Sequence, residues 1–197
     1  MVTSSAQQLA NLLKRRGEVP IEHGMATLLE SIAGGNPISA DITVGAVRQL
    51  SDEERVLLGT PLLADVHRRE GLLTCAADLP VAFVTALVVT SRVPGSARPA
   101  LGITPNGYVQ QMPPSGQVHP PLGRALQGLG ITREQLSAAA TPGHFDEAGS
   151  ELAVRSTARL WTPSGWPVAL LAERVYAQFL AAYPPPWPLA YPMAGTT

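Results

Sequence analysis

A single cysteine, Cys75, rules out an internal disulfide and a thiolate cluster, and points to a reducing, cytoplasmic setting. Its place in an apolar stretch suits a small buried hydrophobe better than a nucleophile. Charge is scarce too. Asp, Glu, Lys and Arg make up 15% of the 197 residues, against about 25% in an ordinary globular domain. Fourteen Lys and Arg face 15 Asp and Glu, so there is no cationic surplus. Nucleic-acid binding draws on such a surplus to displace counterions, so nucleic acid is not an expected partner. Lys14-Arg15-Arg16 reads as the solvated end of a helix, where cations favour the free carbonyls. The longest apolar run, residues 81–89, falls far short of the about 20 residues a membrane helix needs. No signal-peptide pattern opens the chain, and neither a membrane nor export is expected.

Catalytic inventories are thin as well. His23, His67, His119 and His144 are scattered, with no spacing that would hold a metal. Nucleophile-elbow, Walker and Rossmann patterns are missing, so no metal and no cofactor are expected. With 45% apolar residues the chain should nevertheless fold, as one domain over residues 1–197 and as a monomer or small homo-oligomer.

The elements that are present suggest an α+β fold. Ser4 and Ser5 cap a helix carrying Leu9, Leu12 and Leu13. A second helix aligns Met25, Leu28, Leu29 and Ile32 and stops at Gly34-Gly35. Ser51-Asp-Glu-Glu54 is a capping box opening a short helix over 53–58, and 38–47 reads as a strand. Residues 63–75 and 80–91 form a predicted hairpin about Ala77-Asp78, and 152–162 and 166–180 a second about Pro163-Ser-Gly165. Between the hairpins lies a Pro- and Gly-rich loop or flap, 92–121, followed by short helices predicted over 122–129 and 133–139. The Pro-rich tail, 183–197, cannot continue as helix or inner strand, and is expected to pack over the sheet or fray.

Two charged residues stand where apolar ones belong. Strand alternation puts Glu173 on one face with Ala169, Leu171 and Val175. Buried there, a carboxylate must be protonated or paired; a solvated strand end or a structural arginine is the plainer alternative to a functional site. Arg69 shares its face with Asp65 and His67 and runs into Leu72-Leu73. It suits bidentate capture of a carboxylate, or else marks a sheet edge. Met25 taken alone is core, and Leu122-Gly-Arg124 taken alone is a helix start.

In order along the chain, Gly24-Met-Ala26, Arg69-Glu-Gly-Leu-Leu73, Asp78-Leu-Pro-Val81, Pro121-Leu-Gly-Arg-Ala-Leu126, Ser164-Gly-Trp-Pro-Val168 and Leu170-Leu-Ala-Glu-Arg-Val175 form a pattern. Over about residues 20–180 it resembles the chorismate pyruvate-lyase family. The resemblance implies a six-stranded antiparallel sheet, helices packed on one side, and helical flaps over a buried ligand site. It implies a cofactor-independent lyase releasing 4-hydroxybenzoate and pyruvate from chorismate for aromatic biosynthesis, with Arg69 and Glu173 as catalytic residues. Arg69 would hold the ring carboxylate, helped by the backbone N–H groups of Met25 and Leu122, and Glu173 would meet the hydroxyl end of this small-molecule carboxylate.

Two features depart from the family, one being the long Pro- and Gly-rich segment before Pro121. Many members carry a second arginine in the strand after the first hairpin turn, where this chain reads Phe83-Val-Thr-Ala-Leu87. Arg92 and Arg98 are the candidates to replace it. Two alternatives follow: a tailoring enzyme of the same fold with a different carboxylate substrate, or a non-catalytic sensor domain. The sensor ranks last, because the stretch before Met25 looks too short for the winged helix such regulators carry.

Overall fold

The computed structural model describes residues 4–47, 49–60, 66–110 and 120–187. Helix α1 (Ser5–Arg16) starts where the Ser4 hydroxyl accepts the Gln7 N–H. Lys14 and Arg15 at its end are exposed, but Arg16 is buried and donates to the His23 carbonyl. Helix α2 (Met25–Ile32) buries the expected stripe of Met25, Leu28, Leu29 and Ile32. Gly24 precedes it because a Cβ there would lie 2.9 Å from the Ile21 carbonyl oxygen. Helix α3 (Asp52–Leu58) carries the predicted capping box, with Ser51 and Glu54 satisfying each other's backbone N–H groups.

Among the described residues, seven strands make one antiparallel sheet: β1 (Glu18–Pro20), β2 (Ser39–Ala46), β3 (Val66–Cys75), β4 (Leu79–Val89), β5 (Thr132–Phe145), β6 (Glu151–Trp161) and β7 (Pro167–Tyr176). Their spatial order is β1-β5-β6-β7-β4-β3-β2. The strand count therefore exceeds the expected six, because the three-residue β1 pairs onto the outer edge of β5. The two predicted hairpins, β3–β4 and β6–β7, become neighbours in the middle of the sheet through β4–β7 pairing.

Four further expectations need correction. Residues 133–139 are strand, not helix. Arg-Glu-Gln-Leu-Ser-Ala-Ala favours helix locally, but pairing with β6 supplies the backbone hydrogen bonds instead. A bulge at Leu136 also hides the alternation, since Arg133 and Ala138 end on one face although five residues apart. The helix expected over 122–129 is only α4 (Leu122–Ala125), and the run 166–180 divides into β7 and α5 (Ala177–Ala182). Finally, the helices are not all on one side. Leu58 of α3 packs with Leu50, Leu87 and Leu170 on the face opposite α1, α2, α4 and α5.

The main face carries two apolar clusters. One joins α1, α2 and α5 to Leu73, Val81, Ala138, Val154 and Val175, and also takes in the buried Cys75. The other joins Leu122 and Leu126 to Ala86, Leu160 and Leu171. Much of the expected flap belongs to the second cluster, for Val93, Ala97, Leu101 and Ile103 are buried in it. Of the Pro-rich tail, Tyr183 and Trp187 pack against the first cluster, and residues 188–197 lie outside the described residues.

Candidate functional site

Between the two clusters lies a cavity of about 350 Å³. Its floor is the central sheet and its roof is formed by Gly24–Thr27 and Pro121–Arg124. All four residues singled out from the sequence, Met25, Arg69, Leu122 and Glu173, line it. Register explains the convergence. Arg69 pairs with Ala86 across β4, and Ala86 with Leu171, two residues before Glu173 on the same face. Met25 and Leu122 are the first residues of α2 and α4, where backbone N–H groups have no acceptor within the helix. Asp65, expected beside Arg69, lies outside the described residues, and His67 is hydrogen-bonded to Thr90 and does not line the cavity.

Arg69 is 3% exposed. Its two terminal nitrogens donate to the Leu101 and Pro120 carbonyls at 3.2 and 3.1 Å, while Nε has no partner. None of its partners among the described residues is a carboxylate. Burial therefore acts without a countercharge and pulls the guanidinium pKa down to about 10.

Glu173 is tied up. Its Oε2 accepts from Arg133 at 2.6 Å and from the Ser156 hydroxyl at 2.7 Å. Arg133 itself is 1% exposed and also donates to Gln135, and its Nε is unpaired. This buried cation is the residue that sequence reasoning missed, because a helix over 133–139 would not bring it to the sheet face. The signal was Glu173 itself, since a carboxylate on an aliphatic face demands a partner. Arg92 and Arg98 do not replace the absent strand arginine. Arg92 donates to the Leu58, Gly59 and Pro167 carbonyls and stacks over Trp166, and Arg98 holds the Val93 and Ser91 carbonyls.

The rim is tied across its mouth. Arg124 of α4 meets Glu30 of α2 at 3.0 Å, and the Gly128 N–H donates to Glu22 at 2.8 Å. The Gly128 N–H holds the Glu22 carboxyl below its ordinary pKa.

No protein-family model matches the sequence, and no curated protein matches it. Its fold is similar to that of the effector domain of PhnF from Mycobacterium smegmatis, at 14% identity and a TM-score of 0.50, over 79% of this chain and 91% of that one. The longer PhnF structure matches at the same identity and TM-score, and this chain spans 66% of its length. A GntR-family transcriptional regulator from Bacillus cereus matches at 12% identity and a TM-score of 0.40, over 72% of this chain and 92% of that one. These findings correct the lyase expectation. The likeness at a TM-score of 0.50 is to the PhnF effector domain, and it carries nothing that points to chorismate, 4-hydroxybenzoate or aromatic biosynthesis. Glu173, the carboxylate expected to shuttle a proton, is held in a salt bridge by Arg133.

Proposed function

We propose that the chain is a non-catalytic ligand-sensing domain that captures a small organic anion in the cavity between the sheet and helices α2 and α4. The observation that carries this reading is Arg69, a buried cation lining a cavity, with a free Nε and no carboxylate partner among the described residues. Desolvating a guanidinium is costly unless an anion compensates it, and a bound carboxylate or phosphate would do so. The walls supplied by Met25, Leu73, Val84, Leu160 and Leu171 suit an apolar body between polar ends. Likeness to an effector domain supports a binding role for the same fold.

Thermal-shift screening of purified protein against small carboxylates and phosphate esters tests this. A ligand at a hundred times its Kd stabilises the folded state by about 2.7 kcal/mol. The expected result is a raised Tm for wild type and none for Arg69→Met, with the ligand recovered unchanged after prolonged incubation. Consumption of the ligand, or an equal shift in Arg69→Met, contradicts the reading.

A further inference from the structure

We infer that the cavity accepts a ligand carrying one negative charge, and that Arg133 is the residue that sets this number. The inference rests on the ligand-binding reading above and specifies its ligand class. Among the described residues, three buried charged side chains line the cavity: Arg69, Arg133 and Glu173. Arg133 and Glu173 cancel each other at 2.6 Å, so one uncompensated cation remains. Of the other buried basic side chains among the described residues, Arg16 donates to the His23 carbonyl and His67 bonds Thr90, both away from the cavity.

A monoanion leaves the buried set neutral. A dianion leaves a net negative charge in a low-dielectric space, where like charges repel strongly. The rim adds to the penalty through Glu22, since Glu30 is paired with Arg124 and Glu70 with Arg68. A neutral ligand leaves Arg69 uncompensated. A zwitterion brings a cation that Glu173, already held by Arg133 and Ser156, is poorly placed to receive. Without Arg133, Glu173 would cancel Arg69 and the site would favour neutral or zwitterionic molecules. Arg133 is therefore a specificity residue that acts through Glu173.

Isothermal titration with matched probes tests the charge count. On an aromatic scaffold the set is 4-hydroxybenzoate, 4-hydroxybenzamide, terephthalate and 4-(aminomethyl)benzoate; on an aliphatic one it is hexanoate, hexanamide, adipate and 6-aminohexanoate. In at least one set the monoanion should bind ten times more tightly or better than its three partners. Glu173→Gln raises the buried charge by one, and should move the preference at least tenfold toward the dianion. The double variant Arg133→Met with Glu173→Gln restores a single cation and should restore the monoanion preference. The double variant keeps the test open if the single one fails to fold, because it orphans no buried charge beyond Arg69.

A dianion or zwitterion bound as tightly as the monoanion by wild type overturns the inference and leaves the binding reading standing. So does a double variant that has lost the monoanion preference. Silence of both probe sets, together with silence of the carboxylate and phosphate screen, overturns the binding reading and this inference with it.

Discussion

Arg133 and Glu173 are the largest electrostatic commitment in the core. Each ion loses its hydration there, and the attraction offsets that cost only because the contact is short and Ser156 adds a second hydrogen bond. Removing one partner is therefore worse than removing both. Arg133→Met should cost about 3–5 kcal/mol in urea unfolding, because it strips the buried Glu173 of its hydrogen-bonded counterion. Adding Glu173→Gln to that variant should recover more than half of the loss. If the two substitutions prove additive, the pair carries no coupling. Glu173 was legible as an anomaly from alternation alone, but its partner was not, because forty residues separate the two and nothing local links them.

At the scale of elements, turns and caps were the best-read features. The Ser51–Glu54 box, the Gly165 turn with its φ of 79°, and the α2 stripe all form as predicted from contacts within a few residues. Strand β5 was misread because its local preference is helical and a bulge breaks its period. The turn joining β5 to β6 is fastened by Asp146. That carboxylate accepts from the Ser150 and Ala148 N–H groups and from the Tyr176 hydroxyl. These bonds, Ser150 first, hold the Asp146 carboxyl below its ordinary pKa, and burial beside it pushes the Tyr176 hydroxyl up to about 12. A depressed carboxyl pKa stabilises the fold above its unfolded value and loses that contribution as pH falls through the folded value. Wild type should thus melt above Asp146→Asn at pH 6, and the gap should close below about pH 4. A gap unchanged in acid would show that the Asp146 charge contributes nothing.

For the whole molecule, the decisive feature is a seam. The two apolar clusters of the main face do not merge, and the cavity occupies the space between them. Helices α2 and α4 close over that seam, joined at the rim by Glu30–Arg124, with Glu22–Gly128 linking the segments beside them. Arg124 is half exposed, and such surface pairs contribute only about 0–1 kcal/mol. Arg124→Ala should therefore leave the global Tm within about 2 °C of wild type. It should nevertheless speed amide exchange over 122–129 relative to the central strands. Uniform exchange changes across the sheet would show that the rim pair is structural rather than local.

The sequence by itself determined the local and periodic features: helix caps, both hairpins, the apolar stripe of α2, and the anomalous charges Arg69 and Glu173 on faces that should be apolar. Each of these is set by interactions within about one turn or one strand. Only the tertiary structure decided the fate of residues 133–139, the added edge strand β1, and the placement of α3 on the opposite face. It also supplied the partner of Glu173, a buried guanidinium 2.6 Å away that periodicity along β7 could not reveal. The physical reason is range. Backbone preference and periodicity act between near neighbours, whereas strand pairing and charge compensation join residues that meet only when the sheet is assembled.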